Sequence, residues 1–182
     1  MKSRIYLVLF IIFILYTLVP AQLKHYQADK NESYITYKLV HPLHEIEATS
    51  KDAYCIINAD KDKKEIKNVL VQVNVTSFNS GNSNRDSHAM ETVDAINYPD
   101  ARFISTSVYQ AGDTLKIHGN LTFHGVTKEI YIEALSKWTD NKLTVNGGFN
   151  ISLTEFKVPR PSLLLIPVED NLKFTLLQVF NL

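Results

Sequence analysis

The segment Thr114–Phe123 constrains the fold more than any other. Leu115, Ile117, Gly119, Leu121 and Phe123 alternate without a break against Thr114, Lys116, His118, Asn120 and Thr122. Successive side chains of an extended chain point to opposite faces, so this period of two dictates a strand with one dry and one wet face. It is incompatible with an amphipathic helix, whose period is 3.6. The pattern returns in Val69, Val71, Val73 and Val75, in Ile130 and Ile132, in Leu143, Val145, Gly147, Phe149 and Ile151, and in Leu172, Phe174 and Leu176. Weaker strands are expected over 34–40, 45–49, 53–58 and 102–109, the last with Phe103 inward. Polar joints at 58–62, 111–113 and 140–141 are short enough for antiparallel hairpins. One stretch, 87–96, reads as a helix, with Asp86 or Ser87 as its cap, Met90, Val93 and Ile96 apolar, and Asn97-Tyr98-Pro99 as its stop.

Eight or nine strands with hairpin joints and one short helix define an all-β chain, an antiparallel barrel or sandwich rather than a βαβ sheet. A barrel suits strands of about ten residues, because closure removes exposed edges. The interior of an eight-stranded barrel is either filled by side chains or just wide enough for one small ligand. Here the dry face is Val, Ile, Leu and Phe, so a guest would be apolar.

Composition narrows the function. The 182 residues carry 19 Lys+Arg and 19 Asp+Glu, a balance without the basic footprint that nucleic acid requires. A hydrophobic share of 45% excludes a disordered chain. Cys55 stands alone, in the apolar run Tyr54-Cys55-Ile56-Ile57, and reads as a small buried hydrophobe. At the N-terminus Lys2 and Arg4 precede an apolar run from Ile5 to Val19, and Val19-Pro20-Ala21 offers a cut before Gln22. This is the order of a secretory signal peptide, and the run is short of the roughly 20 residues of a spanning helix. Residues 1–21 are therefore expected to leave one exported domain, 22–182, periplasmic or secreted and with no stable membrane span. A homodimer is compatible with that reading.

The chemistry-bearing motifs are few. No Gly-x-Ser-x-Gly elbow, no His-Glu-x-x-His and no phosphate-cradling glycine loop occurs. Of the six histidines, His118 falls on a wet strand face. His41 and His44, in His41-Pro42-Leu43-His44, offer two metal ligands whose third partner the sequence does not fix. No catalytic residue, metal or cofactor is expected.

The block Arg85-Asp86-Ser87-His88 leads into the expected helix and is followed by Pro99, Phe103 and Ser105. A later segment carries Gly119, Leu121, Thr122, Gly125, Val126, Thr127 and Lys128. In this order and spacing these residues resemble the YceI-like family of exported β-barrel proteins, over about residues 33 to 134. The family often ends in an Arg-x-Asp-Phe-Gly stretch, where this chain has Ser152-Leu153-Thr154-Glu155-Phe156-Lys157 and then Pro159-Arg160-Pro161. The resemblance implies a lipocalin-like antiparallel β-barrel of about eight strands, without catalytic activity, holding a polyisoprenoid or similar long-chain lipid. The dry-face residues Val69, Val71, Val73, Val75, Phe103, Leu115, Ile117, Leu121, Phe123, Ile130, Ile132, Leu143, Val145, Phe149 and Phe174 are then the expected ligand-binding wall. Arg85, Asp86 and His88 are read as a structural loop, with Asp86 capping the helix and Arg85 paired to Asp86 or another carboxylate. Two alternatives stay open: a metal-dependent enzyme built on His41 and His44, and a filled-core surface or adhesion module.

Overall fold

Burial follows the alternation residue by residue along Thr114–Phe123, where Leu115, Ile117, Gly119, Leu121 and Phe123 are all buried and the intervening side chains are not. The computed structural model describes residues 23–182; the segment 1–21, read above as a signal peptide, lies outside the described residues. The strands are β1 (Lys24–Gln27), β2 (Tyr34–His41), β3 (His44–Ser50), β4 (Tyr54–Asp60) and β5 (Glu65–Asn74), then helix α1 (Ser83–Thr92). They continue with β6 (Asp100–Ala111), β7 (Thr114–Phe123), β8 (Val126–Trp138), β9 (Lys142–Ser152), β10 (Ser162–Leu163), β11 (Ile166–Pro167) and β12 (Asn171–Asn181). Ten of them form one antiparallel sheet in the order β1-β4-β5-β6-β7-β8-β9-β12-β2-β3, and β10 pairs with β11 as a separate hairpin.

The sheet curls until its ends meet. Ala28, just past β1, bridges Phe180 on β12, and Thr49 on β3 bridges Asn79 beyond β5. The Asp29 amide adds a bond to the Val179 carbonyl at 2.8 Å. Curling on this scale needs backbone without side chains at the tight places. A Cβ on Gly119 would lie 2.6 Å from Cζ of Phe103 and 2.4 Å from the Ile104 carbonyl oxygen. The Phe103 ring thus occupies the space that any other residue at 119 would claim.

Two bulges re-phase the alternation. The β4–β5 register shifts between Asn58 and Ala59, so that Ile66 points inward below the shift and Val69, Val71 and Val73 point inward above it. The β6–β7 register shifts between Ser105 and Ser107. Phe103 therefore faces Leu121 and Val108 faces Ile117, both inward, and this settles a strand whose parity the sequence leaves uneven.

Three local expectations are corrected. The helix spans Ser83–Thr92 rather than 87–96, because Asn82, not Asp86 or Ser87, caps it by accepting from the Arg85 amide. Val93 ends it, and Asp94 turns the chain at φ 48°. Ile96 then falls on that turn and is 94% exposed. Strand β1 and the β10–β11 hairpin were not foreseen: β1 buries only Tyr26, and the hairpin is Ser162 followed by the apolar run Leu163–Ile166 between two prolines, without alternation.

Gly119→Ala is expected to lower stability by about 1–3 kcal/mol, the usual cost of overpacking a filled site. Urea unfolding of the two proteins reads this directly, and an unchanged midpoint would show that Phe103 does not depend on the missing Cβ.

Candidate functional site

The inward residues do not fill the barrel. A cavity of about 300 Å³ runs through it, and twelve of the fifteen expected wall residues line it: Val69, Val71, Val73, Val75, Phe103, Ile117, Leu121, Phe123, Ile132, Val145, Phe149 and Phe174. Val75 does so from a single 3-10 turn after β5. The other three are buried but lie away from the cavity. Leu115 and Leu143 are fully enclosed where β7 and β9 begin, and Ile130 pairs with Gly119, over which the Phe103 ring lies. Sequence reasoning missed the wall supplied by the first strands, where Ile35, Tyr37, Leu39, Cys55 and Ile57 face inward, and by Leu172, Leu176 and Phe180 on β12. The stacked rings of Phe149 and Phe174, 4.8 Å apart, stand beside Tyr37 and Phe78.

Helix α1 covers part of this space. Ala89, Met90 and Val93 turn toward it, along with Arg85, Asp86 and the exposed His88 at the rim. The expected Arg85–carboxylate pair is not formed among the described residues. Instead Arg85 and Asp86 both grip Ser80. The guanidinium donates from Nε to Ser80 Oγ at 2.9 Å and from Nη2 to the Ser80 carbonyl at 3.0 Å. The Asp86 carboxylate accepts from the Ser80 amide at 3.1 Å and from its hydroxyl at 2.5 Å. The cap role falls to Asn82 because its side-chain oxygen Oδ1 already accepts from the Arg85 amide, at 3.1 Å. This leaves Asp86 free to fold back onto the loop. Burial pushes the Tyr37 phenol above its ordinary pKa, the Asp86 charge adds to the rise and Arg85 opposes it. Tyr37 is therefore a neutral hydroxyl near the separate charges of Asp86 and Arg85 at the helix side of the cavity.

A second polar group stands deeper. Gln178 is 4% exposed and lines the cavity two inward steps beyond Phe174 on β12, about 13 Å along the strand. Its Nε2 donates to the Tyr34 carbonyl at 3.3 Å, while its Oε1 has no partner among the described residues. Cys55 also faces the cavity. Burial pushes its thiol up to about 12, which keeps it protonated and removes the thiolate that nucleophilic chemistry needs.

The histidine pair behaves differently from its motif. His41 is buried, its Nδ1 accepts from the Leu43 amide at 3.2 Å, and its Nε2 lies 2.9 Å from the Ile166 carbonyl, to which it donates. Both ring nitrogens are thus engaged by backbone. The His44 ring is 5.1 Å away, and among the described residues no third histidine, cysteine or acid joins them.

The separated motif residues meet in space. The Tyr98 ring lies over Gly125, where a Cβ would come within 2.5 Å of it, and against His124 at 4.8 Å. His124 in turn reaches the Phe156 carbonyl through Nδ1 at 3.1 Å. Ser105 accepts from the Val69 amide at 2.8 Å, which satisfies a donor beside the β6 bulge. At the departing flank, Asp170 does the work of holding the turn after β9. Hydrogen bonds from Ser152 and then Thr154 keep its carboxyl below the usual range.

Comparison with known proteins is consistent across sequence and structure. A family described as YceI-like domain matches residues 26–179. The chain is 32% identical over 156 residues to protein YceI of Salmonella newport, covering 80% of this chain and 82% of the relative. It is 30% identical over 162 residues to a UPF0312 protein of Pseudomonas fluorescens, covering 81% and 84%. Among solved structures, BcnA of Burkholderia cenocepacia superposes with a TM-score of 0.75 at 20% identity, over 84% of this chain and 98% of that one. A polyisoprenoid binding domain from Saccharophagus degradans superposes with a TM-score of 0.65 at 9% identity, over 88% and 99%. At these identities both structures speak for the fold.

Two outcomes are expected from the site geometry. Arg85→Ala removes two charge-assisted bonds to Ser80 and should cost about 1.5 kcal/mol, at the lower end for such bonds because the side chain is only half-buried. Hydrogen exchange over 79–92 should speed up, and a variant with unchanged exchange would deny Arg85 its bracing role. For Cys55, the unfolded thiol ionises near 9.0 and the folded one near 12, so the unfolded chain loses its proton first. The thiol's contribution is intact below pH 9 and lost between pH 9 and 12, with a slope of up to about 1.4 kcal/mol per pH unit. Cys55→Ala should flatten the fall of stability between pH 9 and 11 relative to the parent.

Proposed function

The chain belongs to the YceI-like family, and on that premise we propose that it is an exported carrier that holds a long-chain lipid, a polyisoprenoid or similar, inside its barrel and performs no reaction on it. The observation that carries this reading is the cavity of about 300 Å³ with an apolar wall, a size within the range of ligand pockets. Export rests on the basic, apolar and small-residue order of residues 1–21. The barrel carries no helix, among the described residues, long and apolar enough to cross a membrane.

The polar groups give the guest a direction. A hydrocarbon tail gains about 0.8 kcal/mol per buried methylene, so ten methylenes supply about 8 kcal/mol, within the range that association costs, and roughly micromolar binding takes about as much again from a longer chain or polar contacts. A headgroup placed at the helix side meets Tyr37, Arg85 and Asp86. The open oxygen of Gln178 accepts a hydroxyl or N–H of a guest that reaches the far end, and a plain hydrocarbon leaves it unsatisfied. Engagement of both His41 nitrogens by backbone removes the first ligand that the metal-enzyme alternative needs.

Native mass spectrometry of the protein purified from its own host, with organic extraction of the same sample, is the direct test. A co-purifying long-chain lipid is expected, and Val73→Asp should abolish it by placing an unpaired charge on the dry wall. An empty protein with no extractable lipid would overturn the carrier reading.

A further inference from the structure

The β10–β11 hairpin departs from the chemistry of its own turn. Leu163 pairs with Ile166, so Leu164 and Leu165 form a two-residue loop, and both have positive φ, 52° and 66°. That is the signature of a type I′ turn, which asparagine and glycine fill because other side chains crowd the backbone there. These two leucines are also 76% and 96% exposed. Strain and exposure fall on the same pair. Leu163 and Ile166 are 46% and 40% exposed, and Leu43, 60% exposed, joins them. Leu43 sits on the β2–β3 turn, which His41 ties to the Ile166 carbonyl.

The surroundings identify what such a tip fits. The hairpin and its leading strap, residues 156–168, carry Lys157 and Arg160 as their charged residues, with Glu155 and Glu169 just beyond the two ends, and both cations are exposed. Arg160 donates to the Val168 carbonyl, and the Val168 amide bonds the Pro161 carbonyl at 2.9 Å. The base of the hairpin is thereby fixed and the tip held outward. Its leading strap, through Val158, Pro159 and Pro161, lines the cavity. A two-residue tip offers far less than the roughly 800 Å² a side of a stable protein interface. Aliphatic side chains projecting past a pair of cations match the layering of an anionic bilayer, with acyl chains within and phosphates at the rim.

We propose that the β10–β11 hairpin docks the barrel on anionic membranes. Leu163, Leu164, Leu165 and Ile166 enter the acyl layer, Lys157 and Arg160 meet the headgroup phosphates, and the strap beside the cavity is brought to the lipid surface. This goes beyond carriage, and its test needs no cargo, so the two readings fail separately.

The test is co-sedimentation of the purified chain, in the form its own host accumulates, with vesicles of phosphatidylethanolamine and phosphatidylglycerol or of phosphatidylcholine alone. The parent should bind the anionic vesicles several-fold more tightly than the neutral ones. The double variant L164N/L165G installs the favoured type I′ pair, so it should melt at or above the parent's temperature while its partition onto anionic vesicles falls at least tenfold. K157E should weaken binding to anionic vesicles severalfold and leave neutral ones unaffected. Equal binding by the parent and L164N/L165G would overturn the proposal. So would a parent that binds no vesicle but self-associates through the leucines, as read by analytical ultracentrifugation, since a second copy would then be what covers the tip.

Discussion

The bend of the sheet depends on places where two backbones approach more closely than a side chain permits. At Gly119 the Phe103 ring takes the position of the absent Cβ, and at Gly147 the Cβ of Ala134 would stand 2.5 Å away. Gly148 faces the Phe174 carbonyl at 2.6 Å in the same sense. These contacts fall on the neighbouring ladders β6–β7, β8–β9 and β9–β12, where the wall must curve to bring β12 round to Ala28. Glycine weakens a flat strand, yet here it sets the curvature that creates an interior. The cavity follows from that curvature together with the bulges, which keep apolar side chains inward on both sides of each register shift.

Much of this was legible in the sequence, and the failures have physical causes. Strands such as Thr114–Phe123 carry unbroken alternation with polar joints, so their existence, ends and inward faces could all be read. The wall residues Val69, Val71 and Val73 were legible for the same reason. Leu115 and Leu143 share the alternation but close one end of the barrel instead of lining the cavity, because period two records which face is dry and not how far along the barrel a residue sits. The helix start was misplaced because Asp86 is a good cap by type, while the competing Asn82 won by geometry and Asp86 turned to Ser80. The β10–β11 hairpin was invisible because its turn holds leucines where turn chemistry calls for asparagine or glycine. Inward residues on the weaker strands, Tyr37 and Cys55 among them, were missed because their alternation is interrupted.

The helix side of the cavity is organised by one small residue. Ser80 receives the guanidinium of Arg85 and the carboxylate of Asp86 on three of its own polar atoms. Two opposite charges are thus satisfied by a neutral group, which spares the direct ion pair its desolvation cost. The adjacent position of Arg85 and Asp86 in the helix makes a mutual bond geometrically poor, since consecutive helical side chains diverge. A shared acceptor–donor between them resolves this, and it explains why the Arg-Asp pair is followed into a helix whose N-terminus leans on the preceding loop.

The barrel's two closures are unequal to its ladders. β12 and β9 run together over eleven residue pairs, whereas Thr49 and Asn79 meet through two amide–carbonyl bonds of 3.0 Å, and the other seam is the Ala28–Phe180 bridge with the Asp29–Val179 bond beside it. Backbone bonds of this kind contribute about 0.5–1.5 kcal/mol each, so parting a seam costs a small fraction of global unfolding. The wall is therefore a continuous hoop with two clasps rather than a rigid tube. Its circumference can widen at the clasps while every long ladder stays zipped, so girth and stability are set by different residues.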